Sequence, residues 1–404
     1  MSARFHQSMP GTSIPRGNNL FSPQATASSC RIAHLTSVHG RRDTRIFIKQ
    51  CRTLAAHGYD VTLVVADGHG EERIDGVTIT DVGTLTGRLN RMFVTSRKIL
   101  GRAIALNADI YHVHDPELIP AGLKLKRLGK TVVFDSHEDT PRQLLGKPYL
   151  GSISRHALSF AFASFEQYAC AKFDAIVTAT PFIREKFLQI NPFVVDVNNF
   201  PLIGELDGGL SWTAKQPEIC YVGGIGAIRG IRQLVQACAL LRSATRLNLV
   251  GAFSETNVEV EVSKHPGWAR VNHLGFLDRA DVSDVMGRSL AGIVTFLPLP
   301  NHLDSHPTKM FEYMSSGIPV IASDFPLWRK IIEGNQCGVC VDPRDPNAIA
   351  AAIDYFANHP DIARSMGENG RNAVMEKYNW DVQARKLTDL YGDLRHAKQA
   401  GTSF

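Results

Sequence analysis

Residues Asp304 to Asp324, DSHPTKMFEYMSSGIPVIASD, decide the fold that we expect for this chain. Pro307 stands where proline suits the first turn of a helix, and Gly317, just before Pro319, supplies a residue that ends one. The pattern predicts a helix of about ten residues followed by a buried strand. Because Ala291 to Phe296 (AGIVTF) reads as a strand just upstream, the helix should begin at the carboxyl end of a parallel strand, where α/β sheets bind ligands.

The polar residues of this helix suit a nucleotide diphosphate. Free backbone N–H groups at a helix N-terminus attract phosphate, and Thr308 and Lys309 lie at that end. Lys309 adds a positive charge, and Glu312, one turn later, offers a carboxylate to the two hydroxyls of a ribose. For Glu312 taken alone, an ordinary surface glutamate on an amphipathic helix is the other interpretation.

The same stretch resembles the nucleotide-sugar site of retaining glycosyltransferases of the GT-B fold, specifically family 4 (glycosyl transferases group 1). In that family two glutamates eight residues apart occupy a loop–helix element. Glu312 matches the second of them, and Asp304 stands in the position of the first. The resemblance implies that Asp304, Thr308, Lys309 and Glu312 bind the donor, and that Lys309 and Glu312 also serve catalysis.

Length and composition limit the classes of protein to which this chain can belong. A chain of 404 residues suits two domains. Its seven scattered cysteines argue against a disulfide framework and for a reducing compartment. Residues 1–29 are rich in Ser, Pro, Gly and Asn and read as a disordered tail without the apolar run of a signal peptide. The sequence has no apolar run long enough to cross a membrane, so a cytoplasmic location is expected.

The net charge of +5 is unevenly placed. Basic residues outnumber acidic ones from Cys30 to Val195, and the reverse holds from Asp196 onward. Such a bias suits nucleic acid, anionic lipid or a phosphorylated substrate, but no nucleic-acid-binding pattern is present and no nucleic-acid partner is expected. Gly87 to Ala105 reads as a basic amphipathic helix suited to an anionic membrane surface, peripherally at the inner face of the plasma membrane. A core helix with a solvated basic face is the alternative.

The N-terminal half begins as a β–α–β unit. Arg31 to Val38 reads as a strand, Asp43 to His57 as a helix and Val61 to Ala66 as a second strand. A dehydrogenase would carry GxGxxG after the first strand, whereas this chain has HGRRDTR. The segment SVHGRRDTRIF resembles the corresponding segment in a subgroup of the same glycosyltransferase family that acts in cell-surface polysaccharide synthesis. The basic residues that we expect to bind an anionic acceptor there are His39, Arg41, Arg42 and Arg45, with solvated loop arginines as the alternative.

Two polar clusters follow apolar runs. Asp109 to His112 leads into VHDPE, and Thr131 to Phe134 leads into DSHED, so both clusters should lie at the carboxyl edge of one sheet. Both resemble the acceptor-side segments of the family. By that resemblance His137 lies against the reacting sugar as a catalytic residue. The expected acceptor-binding residues of the two clusters are His114, Asp115 and Glu138, and structural hydrogen bonds are the alternative.

The second half of the chain again begins with a strand, a turn and a helix, like the first half. Glu218 to Val222 reads as a strand, and a glycine-rich turn with Gly223 and Gly224 lets backbone approach phosphate. Gly224 replaces a basic residue that the family usually has, and Arg229-Gly230 stands where the family has Lys-Gly. The resemblance implies that Gly223, Gly224 and Arg229 bind the donor diphosphate, that Arg229 assists catalysis, and that Phe276 meets the nucleotide base.

The expected fold class is α/β, of the GT-B type, with two Rossmann-like doubly wound domains facing each other across a cleft. The expected division of the chain is a tail at 1–29, an acceptor-binding domain at 30–197, a linker at 198–216, a nucleotide-sugar-binding domain at 217–380, and a helix at 381–404 that returns to the first domain.

The resemblance implies a retaining hexosyltransferase that moves a sugar from a nucleotide-diphosphate sugar to a saccharide acceptor, lipid-linked in cell-surface polysaccharide synthesis. It implies no cofactor and no metal, because cationic groups can stabilise the departing diphosphate and no DxD-type pair is evident. Two other functions remain open at this point. One is a nucleotide-sugar epimerase or hydrolase on the same fold, and the other is a non-catalytic nucleotide-sugar-binding protein.

Overall fold

The computed structural model describes residues 30–84, 87, 90–146, 151–206 and 212–400. The expected tail at 1–29, and residues 88 and 89 of the expected basic helix, lie outside these ranges. Within them the chain forms two α/β halves, each built on one sheet. All strand pairs are parallel except one at the edge of the first sheet.

The first sheet has eight strands within the described ranges, in the order β3-β4-β2-β1-β5-β6-β7-β8. The strands are β1 (Arg31–Leu35), β2 (Asp60–Val65), β3 (Glu72–Ile74), β4 (Val77–Asp81), β5 (Ile110–Val113), β6 (Thr131–Ser136), β7 (Ala175–Thr178) and β8 (Val194–Asp196). The helices are α1 (Arg52–Ala56), α2 (Ser96–Leu106), α3 (Ile119–Arg127), α4 (Thr140–Leu145), α5 (Ser152–Cys170) and α6 (Pro181–Leu188). Helices α1 and α2 continue directly from the π-helical turns Thr44–Cys51 and Arg91–Thr95.

The second sheet has six strands in the order β11-β10-β9-β12-β13-β14, again within the described ranges. The strands are β9 (Glu218–Val222), β10 (Arg246–Val250), β11 (Val271–Gly275), β12 (Ala291–Val294), β13 (Val320–Ser323) and β14 (Gly338–Val341). The helices are α7 (Ile231–Leu240), α8 (Thr256–Ser263), α9 (Arg279–Arg288), α10 (Pro300–Leu303), α11 (Thr308–Ser315), α12 (Pro326–Ile332), α13 (Pro346–Asn358), α14 (Pro360–Glu376) and α15 (Trp380–Ala400). The expected class, two parallel-sheet Rossmann-like units, is confirmed.

The helix α11 differs by one residue from the expectation. Pro307 is extended, with ψ near 123°, and stands just before the helix rather than in its first turn. Gly317 has φ of +68°, a conformation that favours glycine, so the chain turns back into β13 where expected. Tyr313 of α11 is fully buried, and its hydroxyl accepts the Val222 N–H at 2.9 Å. The helix is therefore held against the end of β9.

The last helix, α15, packs against the first sheet although it follows the second one in the chain. Its apolar side chains join the core around β1 and α1, and Tyr391 is fully buried there. Trp380 Nε1 donates to Thr53 Oγ1 at 2.9 Å, and Lys386 pairs with Asp196 at 2.8 Å. The helix thus links the two halves by covering the first.

We expect Gly292→Ala to loosen the contact between α11 and the sheet. A Cβ on Gly292 would lie 2.2 Å from the Tyr313 ring, so the ring must move. Overpacking of this kind costs about 1–3 kcal/mol of the free energy of unfolding. The urea midpoint should fall, and donor affinity should fall with it because α11 carries Glu312.

Gly392→Ala is the matched control. Gly392 lies in α15 with no atom within 4 Å of an added Cβ, so alanine should stabilise the helix by about 0.5–1 kcal/mol. Equal urea midpoints for the two variants would contradict the proposed packing of Tyr313.

Candidate active site

A cleft of about 780 Å³ opens between the two sheets. Its first wall is made by residues that follow β1 and β6, and its second wall by residues around the end of β9 and the start of α11. The sequence-predicted residues that line it are His39, Arg45, His137, Glu138, Gly223, Arg229, Asp304, Thr308, Lys309 and Glu312. The fold therefore brings together residues from both ends of the sequence, as expected for ligand sites at the carboxyl edge of parallel sheets.

Lys309 is a buried cation on the second wall. Its Nζ lies 3.5 Å from the centre of the Tyr221 ring and has no hydrogen-bond partner within the described residues. Burial, and next the positive charge of Arg229, hold the pKa of Lys309 well below its usual value. An ammonium group in this position lacks the anion that would offset its desolvation.

Arg229 lies beside Lys309 and closes the glycine turn. Its Nη1 donates to the Gly224 carbonyl at 2.9 Å, and its guanidinium lies 5.6 Å from the centre of the Phe296 ring. Gly230, which follows it, has φ of +76°, and a Cβ there would lie 2.0 Å from the Thr295 carbonyl oxygen. Glycine is therefore needed at 230 to let α7 begin next to the cleft.

Glu312 on α11 is oriented by an arginine that the sequence did not single out. Arg279 Nη1 donates to Glu312 Oε1 at 2.9 Å, and Arg279 Nε donates to Glu205 Oε1 at the same distance. Lys49, on the first half, is also buried near these carboxylates, and burial lowers its pKa to about 8. Arg279 lies at the start of a helix remote in sequence from Glu312, so spacing alone could not have indicated the pair.

Asp304 joins the two walls. Its Oδ2 accepts from Arg142 Nη1 at 2.9 Å, and Arg142 belongs to α4 of the first half. The guanidinium also stacks 4.2 Å from the centre of the Phe182 ring. Sequence reasoning missed Arg142, because its partner is 162 residues away.

His137 ends a cluster of buried histidines on the first wall. Its Nε2 lies 3.3 Å from Asp135 Oδ2 and 3.3 Å from His114 Nδ1. His114 Nε2 in turn lies 2.8 Å from His34 Nδ1. Burial lowers the pKa of His114 to about 3, so that imidazole is neutral. His114, which we expected to touch an acceptor, lies beneath the cleft surface and contacts His137 instead.

His39 is held between two carboxylates. Its Nδ1 lies 3.0 Å from Asp43 Oδ2 and its Nε2 3.5 Å from Asp115 Oδ1. The hydrogen bond to Asp43 is the main cause that raises the pKa of His39. Asp115 is buried and accepts from the Thr36 hydroxyl at 2.8 Å and the Ser37 N–H at 2.5 Å. It therefore shapes the loop after β1 rather than facing an acceptor.

Three expected acceptor arginines are already engaged. Arg41 pairs with Asp67 at 2.7 Å and Arg42 with Glu72 at 2.7 Å, and neither arginine lines the cleft. Arg45 lines it, but its guanidinium is buried in a bidentate pair with Asp135, at 2.6 and 3.0 Å. The expected acceptor contact therefore gains no support for Arg41 and Arg42, and Arg45 has a structural partner.

Two expected donor residues do not line the cleft. Phe276 is 88% exposed, on the loop after β11, and Gly224 lies behind Arg229, whose Nη1 would be 2.7 Å from a Cβ at that position. Contact of Phe276 with a base remains a prediction. Gly224 instead contributes a carbonyl that orients Arg229.

Two side-chain groups within the described residues have metal-ligand chemistry. His34, His112 and His114 form one, and His114, Asp135 and His137 the other, each with ligand atoms within 4.8 Å of one another. In the second group Asp135 Oδ2 already accepts from Arg45 and from Gln50 Nε2 at 2.8 Å. The guanidinium next to that oxygen opposes a divalent cation.

Known proteins resemble the chain in both halves. The sequence family described as Glycosyltransferase Family 4 matches residues 44–195, and the one described as Glycosyl transferases group 1 matches residues 205–373. An uncharacterised glycosyltransferase of Methanocaldococcus jannaschii is 23% identical over 83% of this chain and 89% of its own length. No helix among the described residues is both long and apolar enough to cross a membrane.

Solved structures share the fold. Sucrose-phosphate synthase from Thermosynechococcus elongatus superposes with a TM-score of 0.73 at 19% identity, covering 91% of this chain and all of that one. The Anabaena protein HepE, solved with UDP and glucose, superposes with a TM-score of 0.68 at 13% identity, over 90% of this chain and all of its own. With consecutive family matches over both halves, the chain belongs to the family 4 (group 1) glycosyltransferases of the GT-B fold.

Proposed function

We propose that this glycosyltransferase transfers a hexose, with retention of anomeric configuration, from a nucleotide-diphosphate sugar to a lipid-linked saccharide in cell-surface polysaccharide synthesis. The observation that carries the donor half of the proposal is the buried Lys309 Nζ, which has no hydrogen-bond partner among the described residues and lies beside Gly223 and Arg229. HepE, a structural neighbour with the same fold, was solved in complex with UDP and glucose.

The diphosphate is assigned to the start of α11. Free N–H groups of the helix, Lys309 and Arg229 converge where the glycine turn lets a ligand approach the backbone. A Cβ on Gly223 would lie in contact with Lys309 Nζ, 3.5 Å away, so glycine at this position leaves the space beside the lysine open to a phosphate. Fixed cations that face the leaving group stabilise the charge that grows on it, so the reaction is assigned no metal requirement.

The ribose is assigned to Glu312, whose carboxylate is oriented by the hydrogen bond from Arg279. The sugar then lies between this wall and His137. The acceptor enters from the first half, between His39, Glu138 and Arg142, all of which line the cleft. Retention is assigned to attack on the same face as the leaving phosphate, and no protein nucleophile is needed.

The lipid anchor of the acceptor is assigned to the surface before α2. Met92, Phe93 and Val94 are exposed by 42%, 59% and 43%, and the exposed Arg97 and Lys98 follow them. An apolar tip with basic residues behind it suits the boundary of an anionic bilayer. Arg102, also expected to contribute, is paired with Glu71 at 2.5 Å, and the side chain of residue 91 lies outside the described set.

Glu312→Ala should weaken binding of the nucleotide-sugar donor by about 1.5–3 kcal/mol, the range for hydrogen bonds to a charged group. Isothermal calorimetry with a panel of UDP-, GDP- and ADP-sugars measures this directly. Glu368→Ala, which removes a surface carboxylate paired with Arg364, is the matched control and should bind normally. Unchanged affinity in Glu312→Ala would remove the ribose assignment.

Lys309→Met should lower kcat by about 10²-fold or more, since a preorganised charge at the leaving group is lost. The variant should be at least as stable as the parent, because it removes a desolvated ammonium and keeps a side chain of similar length. Arg229→Ala should also lower kcat while leaving the fold intact. Full activity in both variants would place the diphosphate elsewhere.

The same lysine gives a pH signature. Its pKa is depressed in the free protein and should rise when a phosphate lies beside it, so binding takes up a proton at pH values between these two pKa values. Donor affinity should therefore be highest below the pKa that Lys309 has in the free protein and fall as pH rises from that pKa to the pKa in the complex. Calorimetry in two buffers of different ionisation enthalpy detects the uptake, which Lys309→Met should abolish.

Changing Arg97 and Lys98 to Gln should weaken cosedimentation with anionic liposomes by roughly 1 kcal/mol per charge. Donor affinity should stay intact, because both residues lie outside the cleft lining. The control pair is Lys264→Gln with Lys330→Gln, two exposed lysines of the second half. If the parent protein does not cosediment with anionic liposomes at low salt, the proposal of a lipid-linked acceptor loses its support.

A further inference from the structure

We propose that His306 is a positioning residue for glycosyl transfer, whose hydrogen bond to Asn198 fixes the start of α11, and with it the donor, relative to the first half of the chain. The inference rests on the proposed function for the place of the donor. His306 lines the cleft, two residues before Thr308. Its Nδ1 lies 2.9 Å from Asn198 Oδ1, and Asn198 follows β8, where the chain leaves the first sheet.

The crossing segment, residues 197–200, is itself fixed to the first half. Arg45 Nη1 donates to the Val197 carbonyl at 2.6 Å. The backbone N–H of Asn198 donates to Oε1 of Gln383, on α15, at 3.0 Å. Because α15 packs on the first sheet, both contacts hold the segment to that half. His306 therefore joins the donor side of the cleft to a point that moves with the acceptor side.

The direction of the hydrogen bond is set by the orientation of the Asn198 amide. Asn198 Nδ2 donates to Asp196 Oδ2 at 2.8 Å, so the other amide atom, Oδ1, faces His306. An amide oxygen only accepts, so Nδ1 of His306 carries a proton and donates. Burial lowers the pKa of His306 to about 4, and the imidazole is therefore neutral near pH 7. It holds its place by a directed hydrogen bond and not by charge.

Two phenylalanine rings pack against the imidazole of His306. The ring centre of Phe200, in the crossing segment, lies 5.8 Å from that of His306, with the planes 28° apart. The ring centre of Phe311, in α11, lies 5.6 Å away at 74°. Both phenylalanines are buried, and their own ring centres are 4.6 Å apart. The histidine is therefore packed between the crossing segment and the donor helix.

A short and stiff connection links His306 to the donor residues. Pro307 follows it with φ of −66°, the value that the proline ring imposes, and α11 begins at the next residue. Lys309 and Glu312 lie in the first two turns of this helix. A displacement of His306 is therefore passed on to the groups that we assign to the diphosphate and the ribose.

A second contact joins the same loop to the first half, but it is more exposed. Asp304 and Arg142 pair at 2.9 Å, and each side chain is 38% exposed. Ion pairs as exposed as this one contribute little, because water and salt screen them. Asn198, in contrast, is buried. The contact between His306 and Asn198 is therefore the better candidate for setting the distance between the two walls.

Alignment of the walls affects transfer and hydrolysis differently. In both reactions the bond between the anomeric carbon and the phosphate oxygen breaks, and the proton of the attacking O–H passes to the departing diphosphate. The new bond forms to an acceptor hydroxyl oxygen in transfer and to a water oxygen in hydrolysis. The acceptor is held by the first half, whereas water is not. A misplaced donor wall should therefore slow transfer and spare hydrolysis.

Two variants of His306 test the hydrogen bond. His306→Leu keeps an apolar side chain of similar size without an N–H, and His306→Asn keeps an N–H as many bonds from the backbone as Nδ1. In His306→Leu, kcat for transfer should fall by roughly 10²-fold, the cost of a misplacement near 1 Å. Donor affinity by calorimetry and donor hydrolysis without acceptor should stay near those of the parent. His306→Asn should recover part of the transfer rate.

The matched control is His359→Leu, which removes an exposed histidine outside the cleft lining and should behave like the parent. If His306→Leu shows no cooperative thermal unfolding, Asn198→Ser takes its place, since it removes the acceptor and leaves the histidine. Donor affinity that falls as far as kcat/KM would make His306 a donor-binding residue and overturn the proposal. Equal losses of transfer and hydrolysis, or no recovery in His306→Asn, would also overturn it.

The distance between the halves is measured separately from activity. Nitroxides attached through ketone-bearing side chains at Arg73 and Lys264, exposed positions of the first and second halves, report it by double electron–electron resonance. We expect one narrow distribution in the parent and in His306→Asn, and a broader or shifted one in His306→Leu. Identical distributions would overturn the proposal. If no nucleotide sugar is turned over, the proposed function fails, whereas these distances, measured without substrate, still decide the role of His306.

Discussion

The buried ion pair between Arg45 and Asp135 is the interaction on which the first wall of the cleft depends. Arg45 lies in the π-helical turns after β1 and Asp135 lies in β6, so the pair fixes a helix against a strand 90 residues away. Its third hydrogen bond, from Nη1 to the Val197 carbonyl at 2.6 Å, reaches the point where the chain leaves the first sheet. Breaking one partner of such a pair costs about 3–5 kcal/mol, because a charge is left buried.

The division of labour between the two walls follows from their charges. The second wall carries basic side chains with few hydrogen-bond partners, Lys309 above all, and an anion that binds there would supply the missing partner. The first wall has its arginines paired and presents histidines and carboxylates, which hydrogen-bond to hydroxyl groups without a strong net charge. A charged donor and a largely neutral sugar acceptor suit this asymmetry. Asp304 and Arg142 connect the two walls across the cleft.

Sequence reasoning reached the fold and most of the second wall because their signals are local. The strand Glu218–Val222 and the helix end at Gly317 are set by neighbouring residues, and Lys309 and Glu312 lie one turn apart on one helix. The first wall was less predictable, since three arginines in one loop look alike in sequence. Arg41 and Arg45 differ only in which distant carboxylate each one meets. Arg279 and Arg142 were missed for the same reason, because their partners are contributed by other parts of the chain.

The position of α15 affects the order in which the chain can fold. The first sheet is complete once β8 has been made, yet part of its apolar cover, including Trp380 and Tyr391, comes from the helix Trp380–Ala400. Domains generally fold in order as they leave the ribosome. Here the part of the first unit's apolar surface that α15 covers stays exposed until the whole second half has been translated. A nascent chain of this protein therefore offers a binding site to chaperones for longer than its two-domain architecture alone would suggest.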